Sequence, residues 1–583
     1  MKRFLPVLLI LAGCAPKPAA PPPVTDKPAP VADKPPTPPD QPKAATVNLG
    51  AVADKTAEAK RSTWSDWRGP AQNGWSPEHD LPDALSLDKD KGDLLWSAPG
   101  YGGLTTPIIQ NGRVYLIDHC GEGQSLQERV ACFDEKDGHL IGEQKFNVFL
   151  TDMVALRVGW TSLAGDPETG NVYAHATSGM FYCFDKDLKK VLWSHSLTEE
   201  YGRVSGYGGR LNSPIVDGDL VIIGMLNGSW GEMAIGGNRF VAFNKRTGDV
   251  VWWGGTGIRV TDTYASSPVV AVINGERLLV TGGFAGVYAF KIRTGELAWG
   301  YEICHEAVNL TPVVDGNLVY IGHGEENPDG TQGGVYCLDA SQVKDGKPKL
   351  VWHVDGIKAK FASPVVHDGR IYICNDVGEL NCLDAKTGDD KWTCDYGRET
   401  KGSPVMADGK IYIAEANSNV YVLKPGDADC TEVSRLTFPS SGAAPVSIFG
   451  TPSILDGRIF LMTSDGLYCF GKKEHTAAAD PLPPAPKETP AAADAKPARL
   501  QVVPADVAVA PGDKVNLKAF AFDANGQPLG AVKVDWKLGA MHPPVYPPGI
   551  TLPPPLPGAP PDLKGELGAA NGEETMLTIA GPT

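Results

Sequence analysis

The stretch ASPVVHDGRIYICNDVGELNCLDAKTGDDKW (residues 362–392) reads as four short strands separated by three turns. ASPVV, RIYIC and ELNCLD are rich in β-branched and aromatic residues, and HDG, NDVG and AKTG between them are turn chemistry. A last strand ends on Trp392. The closing phrase CLDAKTGDDKW (382–392) has near copies in CFDKDLKKVLW (183–193), AFNKRTGDVVW (242–252) and AFKIRTGELAW (289–299). Each runs from a small residue, through a polar turn, to a Trp ten places on. Self-similarity of this kind, with four antiparallel strands per unit, predicts the blades of a propeller.

The opening strand of the unit gives the count. It recurs as TTPII (105–109), NSPIV (212–216), SSPVV (266–270), LTPVV (310–314), GSPVM (402–406) and GTPSI (450–454). WTSLAG (160–165) fills the remaining gap, with Ser162 read at the position where the others carry Pro. The eight starts lie roughly 40 to 55 residues apart, a spacing suited to blades with variable loops. The last unit stops after GLYCFGKKE (466–474) without a Trp strand, while an orphan strand, DLLWSAPG (93–100), precedes the first unit. The expectation is therefore an all-β chain. Residues 61–475 form an eight-bladed propeller of four-stranded antiparallel blades, and the strand around Trp96 completes the eighth. Closure of this kind removes an exposed sheet edge. Trp96, Trp193, Trp252, Trp299, Trp352 and Trp392 are expected to dock each blade on the next, since a buried aromatic removes on the order of 150–250 Å² from water.

The chain has 583 residues and a net charge of −16, which argues against nucleic acid as a partner. Lys2 and Arg3 precede an apolar run, Phe4 to Ala12, that is too short to span a bilayer. The run ends in Leu11-Ala12-Gly13-Cys14, which resembles the lipobox of bacterial lipoproteins. That resemblance implies removal of residues 1–13 and lipidation of Cys14, the lipid being the only membrane contact. Ala15 after the Cys implies an outer-membrane lipoprotein facing the periplasm. Residues 14–60 are assigned to a Pro- and Ala-rich tether, and 476–497 to a second such linker. Residues 498–539 alternate like sandwich strands and resemble a bacterial immunoglobulin-like module, assigned to 498–583 and interrupted by Pro-rich sequence.

Besides Cys14 there are ten cysteines. Cys132, Cys183, Cys337, Cys382 and Cys469 share one slot of the third strand, where other units carry Ala242, Ala289 and Val422. A slot that accepts Ala, Val or Cys is a small buried site, and equivalent slots of different blades are too far apart to bridge. Cys120, Cys304, Cys374, Cys394 and Cys430 fall elsewhere. Cys374 lies across a hairpin from Cys382, and Cys394 lies just past the adjacent strand, which leaves room for one local bridge.

Over residues 93–474 the repeats resemble the pyrroloquinoline-quinone (PQQ) propeller superfamily, and WSDWRGPAQNGWS (64–76) resembles the lead-in of its exported members. The superfamily holds the quinoprotein alcohol dehydrogenases and also the propeller lipoprotein of the outer-membrane β-barrel assembly machinery, a scaffold without catalysis. The resemblance implies that residues just before each first strand face a central funnel. Here these are Arg157, Trp160, Tyr207, Arg210, Asp262, Tyr264, Glu306, Asn309, Lys360 and Lys401. For an enzyme it implies a catalytic Asp, for which Asp262 is the candidate, and Ca²⁺ ligands, for which Glu306 and Asn309 have the right oxygen chemistry. It also implies a disulfide of adjacent cysteines, and this chain has no Cys-Cys pair. No HExxH, GxSxG or P-loop motif is present. Two readings stand: a lipid-anchored binding scaffold for an envelope protein or envelope component, without a cofactor, or a dehydrogenase using PQQ and Ca²⁺ on an alcohol or sugar. Polysaccharide binding through Trp160 and Tyr207 is a third.

Overall fold

The computed structural model describes residues 47–52, 54–88, 93–148, 157–202, 209–225, 239–258, 264–440, 444–474, 478–539 and 565–579. Cys14, its leader and most of the N-terminal tether lie outside them. Eight four-stranded antiparallel sheets follow one another. Blades 1 to 7 span 108–147, 164–196, 215–255, 269–307, 313–355, 365–395 and 405–437. Blade 8 takes three strands from 453–471 and its outermost strand, Leu94–Pro99, from the other end of the chain. Trp96 pairs there with Cys469, so both chain ends close the ring.

A continuous circle of hydrogen bonds runs around the axis. The backbone N–H of Thr106 donates to the hydroxyl of Ser162 at 3.1 Å, Ser162 to Ser213 at 3.0 Å, and Ser213 to Ser267 at 2.9 Å. Ser267 then donates to Thr311 at 3.2 Å, Thr311 to Ser363 at 2.9 Å, and Ser363 to Ser403 at 2.9 Å. Ser403 donates to Thr451 at 3.1 Å, and Thr451 closes the circle on Thr106 at 2.9 Å. Each blade supplies one hydroxyl, in seven of the eight from the residue before a Pro. The circle also corrects the alignment of blade 2. Ser162 is the hydroxyl residue itself, because Thr106 binds it, and Leu163 stands in the Pro slot.

The Trp phrase is an inter-blade latch with two halves. The indole N–H of Trp96 donates to the Glu135 carbonyl at 3.0 Å, Trp193 to Lys245 at 3.2 Å, and Trp252 to Ile292 at 2.9 Å. Trp352 donates to Ala385 at 3.1 Å and Trp392 to Gly426 at 3.1 Å. Every acceptor lies in the last turn of the following blade. The Gly of that turn lies against the same ring: a Cβ on Gly138, Gly248, Gly295 or Gly388 would run into Trp96, Trp193, Trp252 or Trp352. Gly295 also holds φ +69°, so both backbone and packing require it. Blade 5 replaces Thr-Gly by the longer ASQVKDG (340–346), and the indole N–H of Trp299, buried against it, has no partner.

Across from each Trp sits the small third-strand slot. Cys183 pairs with Trp193, Ala242 with Trp252, Ala289 with Trp299, Cys337 with Trp352 and Cys382 with Trp392. Cys132, Cys183, Cys337, Cys382 and Cys469 are free thiols at 0% exposure. The disulfide joins Cys394 to Cys430 instead, with Cα atoms 6.1 Å apart. The bridge is therefore between blades rather than within the hairpin of Cys374 and Cys382. Cys374 pairs with Leu380, and Cys382 with Tyr372 and Trp392, so neither faces the other. Cys430 begins the outer strand of blade 7 beside the turn that receives Trp392.

After blade 8, residues 478–497 carry no helix or strand but are pinned. Asp480 donates its N–H to Pro77, Thr489 donates to Gly275, and the Glu488 carboxylate lies 2.9 Å from Arg293 and 3.7 Å from Arg277. The C-terminal region forms a five-stranded antiparallel sheet plus a two-stranded ladder. Its Val503, Phe520 and Phe522 pack with Leu220, Trp252 and Phe290 of blades 3 and 4.

Two outcomes follow. Ser267→Ala strands the N–H of Ser213 and is expected to lower stability by about 1–3 kcal/mol in a denaturant titration. Ser267→Thr is expected to be tolerated, since blades 1, 5 and 8 use Thr; equal stability of the Ala variant would count against the hydroxyl circle. Cys430→Ser opens a loop closed over a sequence separation of 36. It is expected to cost about 2–4 kcal/mol, and dithiothreitol should reproduce that loss in the native chain alone.

Candidate functional site

The loops that enter the first strands converge at one end of the axis and enclose a cavity of about 390 Å³. Thr106, Ser162, Ser213, Ser267, Ser403 and Thr451 of the hydroxyl circle line it. Around them stand Arg157 and Trp160 before blade 2, Arg210 before blade 3, Asn309 before blade 5, and Phe361, Lys401 and Phe449 before blades 6, 7 and 8.

The lead-in segment closes the other end. Trp64 exchanges backbone hydrogen bonds with Ile109 at 2.9 and 2.8 Å, and Gly165 donates to Ser65 at 2.7 Å. Arg68 donates to the Pro364 carbonyl. Gly74 and Ser76 bind Met406 at 2.9 Å each, and the Ser76 hydroxyl donates to Ile454 at 3.2 Å. All these partners lie just downstream of the circle hydroxyl of their blade, opposite the mouth. The segment thus crosses the channel, and Trp67, within it, lines the cavity. Arg68 is fully buried. Desolvation lowers its guanidinium to about 9, against the pull of Asp66, so it remains charged at neutral pH. WSDWRGP (64–70) was legible only as a family lead-in. The role of residues 64–76 as a stopper depends on these contacts with five different blades.

The chemistry of the lining is one-sided. Arg157, Arg210 and Lys401 supply positive charge, and no carboxylate occurs among the described lining residues. The Lys401 ammonium lies 4.4 Å from the centre of the Phe361 ring and 3.2 Å from Glu399, which stands outside the lining. Asn309 spends its carbonyl oxygen on the N–H of Ala265 at 2.9 Å, which leaves its amide N–H₂. The Trp67 indole nitrogen is buried without a partner. The circle hydroxyls already accept a backbone N–H, so their remaining capacity toward the cavity includes an O–H to donate. Aromatic rings of Trp67, Trp160, Phe361 and Phe449 make up much of the wall.

Of the residues expected at the mouth, Arg157, Trp160, Arg210, Asn309 and Lys401 meet in this cavity. Three others do not. Tyr264 is 1% exposed and packs on Ala307 in a separate core cluster; burial raises its phenol. Lys360 turns away to Glu325 at 3.4 Å. Glu306 is exposed on the strand that leads to the mouth and does not line the cavity, so it forms no ligand pair with Asn309, whose oxygen is already engaged. Tyr207 and Asp262 lie outside the described residues. A Ca²⁺ ion beside a quinone would find no anionic oxygen ligand among the described lining residues, and hard cations need such ligands. The described residues do not fit that pair, and no step is derived through it.

A family profile described as outer membrane protein assembly factor BamB matches residues 126–347 and 332–469. A tetrathionate hydrolase of Acidithiobacillus ferrooxidans is 22% identical over 312 residues, 52% of this chain and 55% of the relative. The chain thus spans about half the length of that relative. Among solved structures, a europium-containing methanol dehydrogenase superposes with a TM-score of 0.52 at 12% identity, over 72% of this chain and 100% of its own. The quinohemoprotein alcohol dehydrogenase of Comamonas testosteroni gives 0.50 at 13% identity, over 73% and 85%. BamB of Moraxella catarrhalis gives 0.41 at 12%, over 62% and 99%. At these identities the structural likeness concerns the fold alone.

Proposed function

The chain belongs to the family of outer membrane protein assembly factor BamB, and from that membership we propose a binding or scaffold protein of the bacterial envelope. It is lipid-anchored through Cys14 and partnered by an envelope protein or component. Its axial cavity receives an anionic, acceptor-rich group and carries out no chemistry on it. The observation that supports this reading is the lining: three cations, an unpartnered indole N–H and a circle of hydroxyls, with no carboxylate among the described lining residues. The buried Trp67 indole N–H is a donor that an acceptor on a ligand would meet, and the cations give the lining its positive charge. The aromatic walls favour a ligand with a flat apolar body. The Cys394–Cys430 bridge suits an oxidising compartment. No helix among the described residues is long and apolar enough to cross a membrane.

The catalytic alternative keeps two forms. One relative bears the name of a hydrolase of tetrathionate, itself a dianion of the class the cavity accommodates. The superfamily resemblance keeps PQQ-dependent oxidation of an alcohol or sugar as the other.

Calorimetric titration with a naphthalene disulfonate and with sulfate tests the cavity. The disulfonate is expected to bind and to weaken with added salt. Arg157→Ala and Lys401→Ala are each expected to weaken it about tenfold, the equivalent of 1.4 kcal/mol. Absence of binding by every anion overturns the cavity reading. Consumption of tetrathionate, or of an alcohol with PQQ, Ca²⁺ and a dye acceptor, overturns the non-catalytic one.

A further inference from the structure

Glu128 breaks the repeat. Four residues before the small third-strand slot, the other described blades carry Gly179, Ala285, Gly333, Gly378, Ser418 and Asp465, mostly turn residues. Blade 1 instead places a carboxylate there, within the strand Gln127–Asp134, and buries it at 0% exposure. Blade architecture does not require an acid there, and burying one is costly unless donors meet it.

Its donors come from blade 2 and from the loop that leads into that blade. Gly159 gives its N–H to Oε1 at 3.0 Å. Thr177 gives its N–H to both oxygens at 3.0 Å and its hydroxyl to Oε1 at 3.0 Å. Gly159 holds φ +76°, and a Cβ on it would lie 2.8 Å from the Asp118 Cα, so the loop sits directly on the neighbouring strand. The residues flanking this glycine at 157 and 160 are the Arg and the Trp that line the cavity.

We propose that Glu128 is the positioning residue of the axial cavity: its carboxylate seats the 157–160 loop so that Arg157 and Trp160 face the anion, and its protonation loosens that seat and weakens binding. The proposal rests on the cavity reading above and names the residue that governs it.

Two carboxyls beside the loop are raised by burial, Glu128 and Asp118. Burial raises the Glu128 carboxyl to about 7, while hydrogen bonds from Thr177 and Gly159 pull the other way. His119, its cross-strand neighbour, is held below its ordinary value by burial and by Arg129. Tyr182 of blade 2 is raised by burial first and by Glu128 second; Phe146, across the other strand, stacks on it at 4.1 Å. Arg129 points to the opposite face of the strand and pairs with Asp118, whose carboxyl burial raises to about 6. Asp118 also underlies Gly159, and substitution at 128 separates the two. A carboxyl raised in the folded state contributes stability at low pH that is lost as pH rises through about 7. Acidification therefore favours the fold through Glu128 while it weakens the cavity. A merely structural role gives no such opposition.

The test is calorimetric titration of the full chain with a naphthalene disulfonate, an anion that does not itself titrate in this range. With the carboxyl near 7, ionisation falls from about nine-tenths to about one-tenth between pH 8 and pH 6, so native affinity is expected to fall about tenfold. Glu128→Gln is expected to bind at pH 8 as weakly as the native chain at pH 6, with a flat profile. Native affinity that is flat with pH, or a Gln variant that binds like the native chain, overturns the role of Glu128 and leaves the cavity standing. No binding by the native chain at either pH overturns the cavity reading and this proposal together. If Glu128→Gln does not fold, Asp118→Asn decides: a retained pH dependence assigns it to Glu128, and a flat profile overturns that assignment.

Discussion

Eight side-chain hydroxyls, one from each blade, accept eight backbone N–H groups in a circle that returns to its start. The innermost strands meet at the axis without room for a conventional core, so their first N–H groups cannot reach a neighbouring strand. Buried backbone donors must be met, and a Ser or Thr before the Pro meets them with the shortest side chain available. Because each bond crosses to the next blade, the circle is complete only when the last blade is in place. That blade takes strands from both ends of the chain. The same circle forms part of the cavity wall, so the closure of the fold and the chemistry of the site share atoms.

Farther from the axis the blades are held by a different device. A Trp on one blade gives its indole N–H to a turn carbonyl of the next and lies on the glycine of that turn. The eleven-residue phrase thus encodes both halves of the contact, the ring for one neighbour and the receiving turn for the other. This explains why it repeats so faithfully. It also explains the exceptions: where blade 5 lengthens its turn, Trp299 loses its acceptor. Opposite each Trp the ladder leaves space for Ala or Cys alone. The repeated cysteines follow from that volume and not from oxidation, and the bridge forms between two cysteines outside the slot.

Much of the mouth was legible once the repeats were aligned, because the residues before each first strand are forced toward the axis. Arg157, Trp160, Arg210, Asn309 and Lys401 arrive there for that reason. Tyr264, Lys360 and Glu306 do not, because alignment gives a residue's station along the strand but not the turn of its side chain. Tyr264 turns into the core, Lys360 toward Glu325, and Glu306 toward solvent. Trp67, legible only as part of the lead-in, and Glu128 were missed as site residues for the opposite reason. Neither belongs to the repeat, and each acts through contacts that span more than thirty residues of chain.

Sequence alone determined what is periodic: the number of blades, their strand order, the closing strand at Trp96, the Trp latches and the small slots facing them. These depend on local patterning repeated eight times, and an alignment of the chain with itself suffices to read them. Tertiary structure alone decided what occurs once. The stopper at 64–76, the bridge from Cys394 to Cys430, the pinned segment around Glu488 and the buried carboxylate of Glu128 each join distant parts of the chain. A single long-range contact leaves no echo elsewhere in the sequence, so only the folded ring brings its two halves together.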